Sequence, residues 1–133
     1  MTNWVLLLPL LCKAITQVES GGRWWAYNAA EGAAGPLQIR MIVVEDLNRI
    51  HGHRVYYGWH RFVPSIARRM FYEYLTYYGA HYHRITGKPP TLQVLARIWN
   101  GGPNGWKREA TLKYWEKAKK QLKKLEGSQK EVK

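Results

Sequence analysis

The sequence predicts an all-α domain, with room for no more than a short extended piece, on three observations. Apolar residues recur at helical spacing in several separate stretches. Those stretches open or close on Pro, Thr or Gly, the residues that start and stop helices. The longest aperiodic stretch, Arg23 to Ala34, carries Gly32, Asn28 and aromatic residues and reads as a loop. With 133 residues and 46% hydrophobic content, the chain has the size of one domain with its own core. That domain is expected over residues 1–126, with a polar tail over 127–133, and no tandem repeat or internal linker stands out.

The first helix is predicted from about Leu7 or Pro9 to Glu19, with Pro9 tolerated in the first turn. The run Trp4 to Cys12 has the greasiness of a signal peptide. It lacks a preceding Lys or Arg and a small-residue cleavage pattern, and cutting there would remove the helix, so it reads as core. It is too short to span a bilayer, and Leu11 before Cys12 spoils a lipoprotein signal. Cys12, alone of its kind, is expected as a packed thiol.

A second helix is predicted from near Ile42 to between Ile50 and Gly52. A long one begins at Pro64 and ends between Ile85 and Gly87, with Ile66, Met70, Leu75 and Tyr82 toward the core. Thr91 follows two prolines as the N-cap of a helix to about Trp99. Thr111 is expected to cap the last helix, in which Leu112, Trp115, Leu122 and Leu125 form the apolar stripe, with fraying beyond Gly127.

Glu19 stands out chemically. Leu8, Cys12 and Ile15 precede it at helical spacing, so its carboxyl lies on an apolar stripe, and Ser20-Gly21-Gly22 breaks the chain just after it. Burial disfavours the ionised form, and the negative end of the helix dipole acts the same way, so its pKa is expected above the ordinary value of about 4.3. A carboxyl that keeps its proton near neutral pH is a general acid.

Further along come Gly35-Pro36-Leu37-Gln38-Ile39 and Ala96-Arg97-Ile98-Trp99-Asn100-Gly101-Gly102-Pro103. Together with Val18-Glu19-Ser20, these resemble the ordered motifs of the lysozyme-like lytic transglycosylases, the family of soluble lytic transglycosylases and goose-type lysozymes. That family carries Glu-Ser, Gly-Leu-Met-Gln and Ala-Tyr-Asn-x-Gly. Its late Glu-Thr-x-x-Tyr element is echoed by Glu109 and Thr111-Leu112-Lys113-Tyr114. The likeness runs from about Ala14 to Ala118. Pro36 replaces the first apolar residue after Gly35, Trp99 stands where the family has Tyr, and Ala110 separates Glu109 from Thr111.

The resemblance implies a lysozyme-like domain with an active-site groove that cleaves the β-1,4 bond between N-acetylmuramic acid and N-acetylglucosamine in peptidoglycan. Glu19 would protonate the leaving oxygen, then take the proton of the muramoyl 6-hydroxyl as a 1,6-anhydro ring closes. By the same resemblance Gln38 and Asn100 orient the acetamido sugar, Tyr114 holds the Glu19 rotamer, and Ser20 supports the sugar or the turn. The chain has one Asp and eight Glu, and only Glu19 lies in a motif. A tethered hydroxyl nucleophile makes a second fixed carboxylate dispensable. Hydrolysis by the same fold, as in a muramidase, would instead need Glu31, Glu45 or Asp46 to position a water.

Charge speaks of partners. Between Lys107 and Lys124 stand eight basic and two acidic residues, a net +6, half of the formal +12 of the chain. Such a stripe would hold the protein to anionic cell-wall polymers in a salt-sensitive way. It would also attract nucleic acid, and Arg54-Val55-Tyr56-Tyr57 and Trp106-Lys107-Arg108 could stack bases. The four motifs favour peptidoglycan over nucleic acid as the main partner, with Trp24, Trp25, Tyr27 and Trp106 as candidate sugar platforms. His51-x-His53 and His81-x-His83 have no metal-site spacing, no cofactor motif is present, and a monomer is expected. With no recognisable export signal, action on the wall suggests a bacteriophage protein released by a lysis partner or carried in the virion.

Overall fold

The computed structural model describes the backbone of residues 3–132 and the side chains of residues 3–127. The fold is mainly α. Among the described residues the longer helices are α1 (Leu8–Glu19), α2 (Met41–His51), α3 (Pro64–Thr86), α4 (Leu92–Gly101) and α5 (Leu112–Val132). One two-stranded sheet accompanies them, β1 (Tyr27–Asn28) with β2 (Ala33–Ala34). No helix among the described residues is long and apolar enough to cross a membrane. The chain forms two compact units, Met1–Val18 with Leu75–Lys133, and Glu19–Tyr74.

In the first unit, a 3-10 turn over Asn3–Leu7 leads into α1, whose Leu8, Leu11, Cys12, Ala14 and Ile15 are buried as the stripe requires. The opening apolar run is core through Trp4, Leu8, Leu11 and Cys12, while Leu6, 78% exposed, faces outward. Gly79 admits its ring: a Cβ there would fall 2.5 Å from Trp4 Cη2. Thr91 caps α4 as expected, its hydroxyl accepting from the Val94 N–H at 3.2 Å, and Leu95, Ala96, Ile98 and Trp99 turn inward.

Thr111 does not cap α5. It sits in a 3-10 turn over Glu109–Thr111, where its buried hydroxyl lies 2.8 Å from the carbonyls of Gly105 and Arg108 and accepts from Arg97 Nε at 2.8 Å. The Arg97 guanidinium also donates to the Arg108 carbonyl at 2.8 Å. One hydroxyl and one guanidinium therefore fix the 105–111 connection onto α4. Leu112, expected in the apolar stripe, is 40% exposed. The inward face of α5 centres on fully buried Ala118, and Leu112 stands about 120° away from it around the helix. The helix continues past Gly127 to Val132, where fraying was expected, on residues that are mostly good helix formers.

In the second unit, β1 and β2 pair antiparallel with Tyr27 opposite Ala34 and Asn28 opposite Ala33. The extended piece allowed for in the loop is this hairpin. Gly52 ends α2 in the left-handed region at φ 82°, donating to the Asn48 and Arg49 carbonyls at 3.0 and 3.1 Å. The Asn48 carboxamide accepts from the N–H groups of Val55 and Tyr56 at 2.8 Å and donates to the Tyr56 carbonyl at 2.9 Å, folding 55–56 back onto α2. Leu37, Ile39, Val44, Leu47, Met70 and Phe71 supply much of the buried surface. Of the core residues expected in α3, Met70 and Leu75 are fully buried, whereas Ile66 and Tyr82 are half-buried.

Tyr56 is 1% exposed, and its hydroxyl lies near Glu73 and Arg69 without a well-formed hydrogen bond. Burial, reinforced by the Glu73 carboxylate, pushes its pKa from 10.0 to about 12. The sign follows directly. Between pH 10 and 12 the unfolded chain releases a proton that the folded chain keeps, so a contribution fully present below pH 10 is lost as pH rises. Tyr56→Phe is expected to leave stability at pH 7 within about 1 kcal/mol, because the hydroxyl has no strong partner to lose. In urea titrations from pH 9 to about 12 the variant should lose less stability than the parent chain.

Candidate functional site

Glu19, Ser20 and Gln38 belong to one compact unit, Asn100 and Tyr114 to the other. Glu19 is the last residue of α1 and is half-buried at the end of its apolar stripe. The turn behind it uses two residues in the left-handed region, Gly21 at φ 65° and Gly22 at φ 90°. Ser20 is 2% exposed. Its hydroxyl donates to the Pro36 carbonyl at 2.7 Å and accepts from the Gly22 N–H at 3.1 Å. The Glu-Ser motif is thus bound to the Gly-Pro-Leu-Gln motif 16 residues away, and Ser20 acts through the turn, its side chain buried.

Gln38 adopts φ 50°, the one positive φ of a non-glycine residue among the described residues. Strain of this kind collects at functional sites because only a well-determined surrounding can hold it. Here the Gln38 side chain supplies part of that support, with Nε2 donating to the Ala26 carbonyl at 3.1 Å and to the Gly35 carbonyl at 3.0 Å. Both amide hydrogens are then committed, and Oε1 is what Gln38 can offer a ligand, as an acceptor for an N–H or O–H. The backbone around it is closed by Gln38 N–H to Gly35 O at 3.1 Å, Ala34 N–H to Ile39 O at 3.0 Å and Gly35 N–H to Ala26 O at 2.8 Å.

Arg61 locks this loop in place and is a contributor that sequence reasoning missed. It is 9% exposed, and its guanidinium donates to the carbonyls of Gly32 and Ile39 at 2.9 Å and of Gly58 at 2.8 Å. Burial pulls its pKa below the ordinary arginine value. A basic residue among hydrophobic neighbours with no acidic partner nearby in sequence gives no signal of such a role.

Three of the four other carboxylates of this unit are paired, Glu73 with His51 Nε2 at 2.8 Å. Glu31 pairs with Arg40 at 3.4 Å and accepts from the Asn28 side chain at 3.4 Å, while Asp46 pairs with Arg49 at 2.8 Å and Glu45 is exposed on α2. The aromatic residues around the loop face outward: Trp24, Trp25 and Tyr27 are each more than half exposed. Trp59 joins them, 62% exposed with its ring centroid 4.0 Å from that of His60. Its place in Tyr57-Gly58-Trp59-His60, an aperiodic segment dense in aromatics, is the signal that could have found it. Of the Tyr56-Tyr57 pair only Tyr57 is exposed, with Arg54 5.2 Å above its ring, so the stacking run read from sequence is broken.

In the other unit, Asn100 is exposed in the last turn of α4 and Tyr114 is half-buried in the first turn of α5. Trp99, at the position where Tyr was noted as the family residue, is buried at 9% exposure. Trp106, expected as a platform, stands edge-on to Tyr82 at 5.0 Å with Lys107 5.6 Å from its ring centre. Among the described residues no group of three His, Cys, Asp or Glu side chains could hold a metal ion. No protein-family model matches this sequence, and no curated protein matches it.

Proposed function

We propose that the chain is a peptidoglycan lytic transglycosylase that cuts the β-1,4 bond between N-acetylmuramic acid and N-acetylglucosamine and leaves 1,6-anhydro ends. The observation that carries the reading is the bond from Ser20 Oγ to the Pro36 carbonyl, which joins the Glu19 turn to the strained Gln38 loop. A general acid needs a fixed position relative to a substrate-binding element, and this arrangement supplies both within one unit. Glu19 acts first as acid toward the leaving oxygen and then as base toward the muramoyl 6-hydroxyl. Gln38 Oε1 accepts from the acetamide N–H or a sugar hydroxyl, and the exposed Trp24, Trp25 and Tyr27 offer ring faces to the sugars.

Transglycosylation needs no second carboxylate, because the muramoyl 6-hydroxyl is the nucleophile. Of the three carboxylates that a hydrolase could use to hold a water, Glu31 and Asp46 already pair with Arg40 and Arg49, which leaves Glu45, exposed on α2. The discriminating measurement is the mass of the released muropeptides. Anhydro ends, lighter than reducing ends by one water, are expected, and reducing ends would assign the protein to the hydrolases.

A further inference from the structure

Helix α5 carries a charge pattern that the lytic chemistry does not use. Lys113, Lys117, Lys120 and Lys124 are all exposed and follow one another at spacings of four, three and four residues. At about 100° and 1.5 Å per residue, this places all four within an arc of roughly 60° and along a line of about 16 Å. Glu116 lies outside the arc, and no acidic side chain among the described residues pairs with any of the four. Like charges three and four residues apart on a helix repel one another; Glu116, three residues after Lys113 and four before Lys120, offsets part of this, and an anion along the row relieves the rest.

We infer that this lysine row is a binding surface for the linear phosphodiester polymers of the bacterial cell wall. The inference rests on the lytic reading for the place where the protein works, and on the row itself for the chemistry. A straight file of ammonium groups complements a chain of singly charged phosphates. Lysine supplies hydrated point charges without the planar fork that reads a particular group, which suits a repetitive polymer held in many registers. A lipid surface fits less well. Membrane-bound helices offer an apolar face beside the basic one, whereas among the described residues of α5 Ala118 is buried, Tyr114, Trp115, Leu122 and Leu125 are half-buried, and the large apolar residue that is exposed is Leu112.

The test uses the full chain carrying Glu19→Gln, so that the wall is not digested during binding. Co-sedimentation is measured with purified walls that bear glycerol-phosphate or ribitol-phosphate polymer, and with the same walls after acid removal of that polymer. A second chain adds Lys113→Gln, Lys117→Gln, Lys120→Gln and Lys124→Gln. A third adds Lys13→Gln, Arg68→Gln, Arg84→Gln and Lys88→Gln, equal in charge but exposed elsewhere. Substitution of the row is expected to weaken binding to intact walls at least about tenfold and to lower the slope of log affinity against log salt by roughly three. The third chain should bind nearly as the parent does, and stripped walls should bind parent and row variant alike.

Equal losses in the second and third chains would overturn the inference in favour of net charge alone. So would undiminished parent binding to stripped walls, or tighter row-dependent binding to duplex DNA than to intact walls. Circular dichroism of each variant confirms folding. Because the readout is binding, polymer-dependent sedimentation of these chains, together with no glycan cleavage by the chain that keeps Glu19, would defeat the lytic reading and leave the lysine row standing.

Discussion

Glu19→Gln is expected to lower the rate of clearing of a peptidoglycan suspension by about 10²- to 10⁴-fold, the usual worth of a positioned general acid or base. Glutamine keeps the shape of the side chain but can neither give up a proton to the leaving oxygen nor take one from the 6-hydroxyl. Both steps assigned to this one group should fail together. The loop it stands beside has other supports: Ser20 is held by Pro36, and Gln38 by Ala26 and Gly35, through atoms the substitution does not touch. Far-ultraviolet circular dichroism and thermal midpoint should therefore stay close to those of the parent chain. Undiminished clearing would move the acid to another residue.

Gly35→Ala should have the largest effect on stability, at least about 3 kcal/mol in urea denaturation, which is at the upper end for single substitutions. Two costs combine. The backbone at Gly35 has φ 81°, and a side chain in the left-handed region costs roughly 1–2 kcal/mol. In addition, a Cβ there would fall 1.8 Å from the Arg61 carbonyl oxygen and 2.7 Å from its carbon, both main-chain atoms with no rotamer to yield. Relief would have to move the hairpin or the Gly58–Phe62 turn, and with it the bonds from Arg61 to Gly32 and Ile39. Gly32→Ala separates the two costs, because Gly32 shares the positive φ, at 64°, but has no neighbour within 4 Å. It should lose only about 1 kcal/mol. Equal losses at both positions would mean that backbone conformation alone explains the Gly35 effect.

Helices were legible in the sequence where local chemistry decides them. The bounds of α1, the Gly52 stop of α2, the Pro64 start of α3 and the Thr91 cap of α4 each rest on one residue whose preference nothing distant opposes. Thr111 reads equally well as a cap, but contacts with Arg97, Gly105 and Arg108, up to 14 residues away, claim its hydroxyl first. The 3-10 turn over Gly58–Phe62 and the burial of Tyr56 depend on Asn48 and Arg61, which no periodicity reveals. At the candidate site, the motifs pointed to Glu19, Ser20, Gln38, Asn100 and Tyr114, of which the first three fall in one unit and the last two in the other. The direction of the Gln38 amide and the occupation of Glu31 were not legible, because both are set by hydrogen bonds formed only once the hairpin closes.

The Arg61 contacts to Gly32, Ile39 and Gly58 all end on main-chain carbonyls, and Ser20 likewise reaches a carbonyl. The curve of the loop is consequently written in peptide groups, which every residue possesses, while Trp24, Trp25 and Tyr27 project outward from it. Trp24 and Trp25 make their ring contact with each other, whereas Tyr27 also meets Phe62, so under the proposed function selectivity among wall chemotypes is open to engineering at Trp24 and Trp25 with least cost to the scaffold.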